Sequence, residues 1–141
     1  MPDTFTTIFR LALAFCLCSI IGFERERKGG SAGLRTHILV GKGSTLVMLV
    51  SLYIFETYQQ RVAVDPGRIA AGVVTGIGFL GAGTIIRSRE GVKGLTTAAS
   101  IWVSSSIGLA VGCGYISAAL ATTIIAYLAL SFLKKLEKIN E

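Results

Sequence analysis

Charge is scarce in this chain. Of its 141 residues, 16% are Asp, Glu, Lys or Arg, against about 25% in a soluble domain. Apolar residues make up 52% and the mean hydropathy is +0.67, so lipid rather than water is the expected solvent. The length allows one domain and not two sizeable ones. The three cysteines, Cys16, Cys18 and Cys113, stand in apolar stretches without the Cys/His spacing of a zinc site, and read as small packing residues. His37 is the sole histidine. No nucleophile and base stand at a recognisable spacing, so an enzyme is not expected. The chain opens without a basic leader or an A-x-A cleavage site, so its first apolar segment reads as retained. The apolar segments lack the alternation of a barrel wall. The net charge is +6, yet no soluble basic module surrounds the cations; this argues for an anionic membrane surface and against nucleic acid.

Five apolar runs are present. A transmembrane helix needs about 20 mostly apolar residues, and residues 5–23, 36–55, 69–86, 95–113 and 115–133 meet that requirement. The pattern predicts an all-α membrane bundle of about five transmembrane helices over residues 1–133, followed by a basic tail at 134–141. Gly114 alone separates the last two runs and predicts a tight helical hairpin. Lys/Arg bias sets orientation. Arg25, Arg27, Lys28 and Arg35 lie in the first loop, Arg87, Arg89 and Lys93 in the third, and Lys134, Lys135 and Lys138 in the tail. The intervening second loop holds Arg61 and Arg68. The N-terminus is therefore expected outside and the tail in the cytoplasm, with Arg10 snorkelling outward. An internal echo runs through the chain. Gly33-Leu34-Arg35-Thr36 and Gly94-Leu95-Thr96-Thr97 each open a helix after a short basic loop, which fits parallel repeats of a helix hairpin.

The third run carries Gly72, Gly76, Gly78, Gly81 and Gly83. Gly72 and Gly76 form a GxxxG, extended by Ala71 and Thr75. Three roles fit: a packing face within the subunit, a broken helix whose freed backbone meets an ion or substrate, or an oligomer contact. Glu24 and Glu26 follow directly on apolar sequence. Glu24 lies within helical reach of Arg27 and Lys28, or turns inward to pair with Arg35 at the start of the next helix. Asp65 before Pro66 reads as a helix N-cap. With backbone carbonyls or Glu56 it would alternatively form a weak external Mg²⁺ site, with Arg68 nearby. Thr97, Ser100 and Ser104 share one face of the fourth helix, where they line a polar path or bond to backbone carbonyls. Trp102 reads as packing. Lys42, two turns into the second helix, either snorkels or pairs with Glu24 or Glu26.

Gly22-Phe23-Glu24-Arg25-Glu26, Gly33-Leu34-Arg35-Thr36-His37, Asp65-Pro66-Gly67-Arg68-Ile69, Gly76-Ile77-Gly78-Phe79-Leu80-Gly81-Ala82-Gly83 and Gly94-Leu95-Thr96-Thr97-Ala98-Ala99 with Trp102 resemble, in order, the signature of the MgtC/SapB family. The resemblance implies a bacterial inner-membrane protein linked to magnesium homeostasis, growth in low Mg²⁺ and, in pathogens, survival inside host cells. The resemblance also implies a membrane-protein partner such as the F-type ATP synthase, while the apolar composition gives membrane lipid as surroundings and the glycine face suggests a homodimer. No cofactor is expected, and Mg²⁺ as a ligand or substrate would fall to Asp65 or Glu24 by the chemistry of their carboxylates. Many members carry a soluble cytoplasmic domain after the membrane part, which this chain reads as lacking. Lys42 stands where the family pattern has a small or apolar residue, and its charge would hinder a divalent cation on that route. Regulation of other membrane machinery is the expected role, with Mg²⁺ translocation as the alternative.

Overall fold

The computed structural model describes residues 3–61, 63–89 and 91–133; the basic tail expected at 134–141 lies outside the described residues. Five α-helices form one bundle: α1 (Thr4–Arg27), α2 (Leu34–Tyr58), α3 (Pro66–Thr84), α4 (Leu95–Cys113) and α5 (Ile116–Leu128). The chain is all-α in its architecture, with helices in the five expected places. Three of them, α1, α2 and α4, are long and apolar enough to cross a membrane. α3 has 19 residues, roughly 28 Å at 1.5 Å per residue, but glycine dilutes its hydropathy. α5 is shorter, and its apolar run continues into a π-helical turn at Ala129–Leu133.

The helix ends follow local chemistry more than hydropathy. α1 runs a turn beyond its apolar stretch, because Arg25 and Arg27 in the last turn complement the negative end of the helix dipole. α3 starts earlier than the apolar run: the Asp65 carboxylate accepts a hydrogen bond from Gly67 N at 2.8 Å, and Pro66 fits the first turn. α3 stops at Thr84, and Ile86 joins an antiparallel hairpin of β1 (Ile86–Ser88) and β2 (Gly91–Lys93), paired Ile86↔Lys93, Arg87↔Val92 and Ser88↔Gly91. The apolar-run pattern does not anticipate this hairpin, since three-residue strands are too short to carry a period. Gly94, at φ +92°, closes it onto α4; a Cβ there would run into the Thr84 carbonyl. The two Gly-Leu-x-Thr turns open α2 and α4 alike, each with a glycine N-cap and no side-chain cap. The connections before them differ, one a turn through Gly29 at φ +72° and the other the hairpin.

α4 is the central helix and packs on all four others. Its closest neighbour is α2. A Cβ on Gly108 would strike the Gly41 carbonyl and stand 2.9 Å from Ser44 Cβ; one on Gly112 would stand 2.6 Å from Met48 Cβ and 2.8 Å from the Thr45 carbonyl. These glycines let two backbones meet, which is how helices gain contact energy in lipid, where apolar burial between helices brings little. On the other side of α4, Ile107 and Val111 pack with Ala14, Leu17, Cys18 and Ile21 of α1 and Ala119 of α5. Cys18 is thus a packing residue as expected, whereas Cys16 and Cys113 are exposed. Trp102, expected to pack, is half exposed. Arg10 Nη1 donates to the Gly112 carbonyl at 2.7 Å, joining the start of α1 to the orphan carbonyls at the end of α4.

Gly108→Leu should therefore destabilise the bundle by about 1–3 kcal/mol, as overpacking does. Gly78→Ala, where a Cβ meets nothing within 4 Å, should be neutral or stabilising by up to ~1 kcal/mol. Thermal unfolding of the two variants in detergent separates these outcomes.

Candidate functional site

A polar seam runs through the bundle where the end of α1, the start of α2 and the start of α4 meet. Thr97, Ser100 and Ser104 do share one face of α4, and that face is buried against α1 and α2. Thr97 Oγ1 accepts from Arg25 Nη2 at 3.5 Å and from Ser31 Oγ at 3.4 Å. Ser100 Oγ donates to the Thr97 carbonyl at 2.8 Å and lies 3.0 Å from His37 Nε2. The other ring nitrogen of His37, Nδ1, stands 2.8 Å from the Gly33 carbonyl. A carbonyl only accepts, so Nδ1 carries a proton; in the neutral ring Nε2 is then an acceptor, and the one Ser100 hydroxyl proton is shared between it and the Thr97 carbonyl. Deeper in, the Ser104 carbonyl accepts from the Cys18 thiol at 3.6 Å, Ser44 and Ser105 hydroxyls bond at 2.9 Å, and Thr45 donates to the carbonyls of Gly41 and Gly108. The hydroxyls of α4 thus tie it to α1 and α2 as well as to its own backbone.

Glu24 is buried, 1% exposed, at the end of this seam. Its partners are Arg27 at 3.1 Å and Lys28 at 3.7 Å, so the neighbour pairing holds and the inward pairing with Arg35 does not; Arg35 is exposed. Helical geometry decides this, because residues three and four apart face one another on the same helix. Glu26 instead accepts from Leu34 N at 2.9 Å, satisfying one orphan amide of α2. With both carboxylates so engaged, Lys42 pairs with neither and is exposed. Asp65 serves as the cap of α3, and Arg68 is exposed one turn later. Among the described residues, no three His, Cys, Asp or Glu side chains converge as a metal site would require.

Arg25 and His37 are the seam residues that motif reading passes over. Arg25 is 8% exposed and its Nε is buried without a hydrogen-bond partner. A signal for it exists: Ala14, Leu17, Cys18, Ile21 and Arg25 recur at three- and four-residue spacing, so an arginine completes the buried stripe of α1.

The glycines of α3 lie elsewhere. α3 meets the bundle along Ala70, Val73, Ile77, Gly81 and Thr84, again at helical spacing. Gly81 sits there, with Ala98 Cβ 3.6 Å from where its own Cβ would be. Gly72, Gly76, Gly78 and Gly83 are exposed, and a Cβ on any of them would meet nothing within 4 Å. Packing within the subunit, one of their three expected roles, therefore falls to Gly81 and not to the other four. α3 is an unbroken helix. Beside it, a groove of about 370 Å³ between α2 and α3 is lined by Leu39, Gly43, Val47, Val73, Gly76 and Leu80.

The MgtC family model matches residues 11–139. The Escherichia coli (strain K12) protein named putative magnesium transporter YhiD is 46% identical over 131 residues, covering 92% of this chain and 61% of that protein. Protein MgtC of Salmonella typhimurium (strain 14028s) is 42% identical over 138 residues, 97% of this chain and 57% of that one. A Haemophilus influenzae protein is 39% identical over 127 residues, 87% of this chain and 53% of its own length. The chain thus spans about three-fifths of the length of the curated relatives it matches most fully. No solved structure matches it.

Removing one partner of a buried polar pair leaves the other unsatisfied, at about 1–3 kcal/mol. Ser100→Ala should cost that much by stranding His37 Nε2. Ser106→Ala, which loses only a back-bond to the Trp102 carbonyl, should stay within about 0.5 kcal/mol. Equilibrium unfolding of both in the same detergent makes the comparison.

Proposed function

The chain belongs to the MgtC family, and from that premise we propose that it is a multi-pass protein of the bacterial inner membrane. In this reading it serves magnesium homeostasis by docking its helices on other membrane machinery. The observation that carries the reading is the open face of α3. Gly72, Gly76 and Gly83 present backbone without side chains to the surroundings, and small residues of this kind let a second helix approach closely in lipid. Phe79, 83% exposed on the same helix, offers such a partner an aromatic anchor. Most hydroxyls of the seam bond within the bundle, among them Ser44 with Ser105 and Thr45 with the Gly41 and Gly108 carbonyls, which suits a rigid docking body. In this reading the Lys/Arg bias of the loops puts the basic connections on the cytoplasmic side.

The family association and the printed name of the Escherichia coli relative favour a second reading, in which Mg²⁺ is a substrate that crosses the bundle. Glu24, a buried carboxylate at a helix end, supports it, since charged groups inside membranes mark ion pathways as often as structural pairs.

The two readings separate experimentally. Crosslinking in native membranes should capture a stoichiometric membrane partner. Gly72→Leu combined with Gly76→Leu should abolish that adduct while thermal unfolding stays within ~1 kcal/mol of the parent, because both positions are open. A pure self-adduct would identify a homodimer. In liposomes, translocation predicts Mg²⁺ flux above empty vesicles that Glu24→Gln or Asp65→Asn lowers several-fold, and docking predicts no such flux. For orientation, Arg89→Cys in a cysteine-free background should react with an impermeant maleimide only when the cytoplasmic face is opened.

A further inference from the structure

A cavity of about 450 Å³ opens where the basic connections converge, between the end of α1, the turn after it and the start of α4. Arg25, Lys28, Ser31, Lys93, Thr96 and Thr97 are among the residues that line it. Three independent features of this cavity concern anions.

The start of α4 is uncapped. Gly94 occupies the N-cap, and no side chain closes it. The first bond of the helix runs from Ala98 N to the Gly94 carbonyl, so the amides of Leu95, Thr96 and Thr97 have no partner within the helix. They form the positive end of the α4 dipole at the cavity wall.

Arg25 supplies the second feature. It is nine-tenths buried, its Nε has no hydrogen-bond partner, and its Nη2 reaches Thr97 Oγ1 only at 3.5 Å. A buried guanidinium calls for an acceptor. The two nearest carboxylates in sequence are committed elsewhere, Glu24 to Arg27 and Lys28 and Glu26 to Leu34 N.

The third feature is Gly30. A Cβ at this position would stand 3.0 Å from Arg25 Nη2, 3.2 Å from Nε and 3.0 Å from the Arg25 carbonyl, which the Gly30 amide already occupies. Glycine therefore keeps open the space beside the Nε–Nη2 edge, the edge that receives two oxygens of one anion in a fork geometry.

We infer that this cavity binds a phosphate-bearing anion. The Nε–Nη2 edge of Arg25 and the first amides of α4 take the phosphoryl oxygens, and Lys28 and Lys93 add positive charge at the rim. The shared chemistry is the phosphate group, supplied either by a soluble phosphate or by the headgroup of an anionic lipid. Half-exposed Val92 and Leu95 on the cavity wall would suit the apolar part of the latter. The inference does not rest on the docking face of α3, which lies on a different part of the bundle.

The test uses the full chain in nonionic detergent, titrated calorimetrically with inorganic phosphate and, separately, with short-chain phosphatidylglycerol. Saturable binding of at least one probe is expected. Arg25→Gln should weaken it about tenfold or more, as loss of a charge-assisted fork does, and Lys28→Gln several-fold. Lys42→Gln, which removes the same charge from an exposed site outside the cavity, should leave it unchanged. Binding of phosphate alone identifies a soluble anion, and binding of phosphatidylglycerol alone identifies a headgroup. Binding of both identifies recognition of the phosphate whatever its source. If Arg25→Gln loses its helicity, Lys28→Gln and Thr97→Val decide in its place. No saturable binding of either probe, or equal loss in the cavity variants and Lys42→Gln, overturns the inference.

Discussion

Backbone meets backbone between α2 and α4. At Gly108 and Gly112 there is no room for a side chain on α4 without displacing α2, and at Gly41 there is none without displacing Cys18 of α1. In water, two apolar helices are driven together by leaving solvent. In lipid that drive is nearly absent, and helices hold through close van der Waals contact and hydrogen bonds across the interface. The glycines allow the contact, and it brings Thr45 close enough to donate to carbonyls on both helices. α1 then fits against the pair, with Cys18 filling the space beside Gly41 and Gly22 lying over Leu34.

That close approach also decides where polar groups go. With α2 pressed to α4, the hydroxyls of α4 lie inside the bundle and bond to its neighbours: Ser105 to Ser44, Ser100 to His37, Thr97 to Arg25. A buried polar network is costly unless its members are satisfied. Most of this one is, and the exceptions stand out by their place. Ser104 Oγ lies in the middle, whereas Glu24 Oε1 and Arg25 Nε lie at the end where α1 leaves the bundle. Of these, Arg25 lines the cavity between the end of α1 and the start of α4, where an acceptor from outside the chain would satisfy it.

α3 is arranged differently. It packs on both α4 and α2 along the face of Ala70, Val73, Ile77, Gly81 and Thr84 and leaves its other glycines uncovered. The helix with the most conspicuous small residues is therefore not the one whose small residues hold the subunit together. The division is a mechanical one. A polar, tightly joined core formed by α1, α2 and α4 carries α3, whose Gly72, Gly76, Gly78 and Gly83 stay exposed.

The helices, their number and most of their ends were legible from apolar run length, from Asp65-Pro66 as a cap and from glycines as breaks, because backbone groups in lipid must be satisfied locally. The coming together of Thr97, Ser100 and Ser104 on one face was legible for the same reason, being a matter of period alone. What lay beneath that face was not. Sequence determined that Gly76 and Gly108 are small; only tertiary structure decided that Gly108 lies against Gly41 and that Gly76 lies open. Sequence likewise determined that Glu24 is within reach of Arg27, since both are on one helix. That Arg25 turns inward to Thr97, 72 residues away, depended on which helix faces which. Local rules of period and capping operate within a segment, while contact between segments is set by the shapes they present to one another.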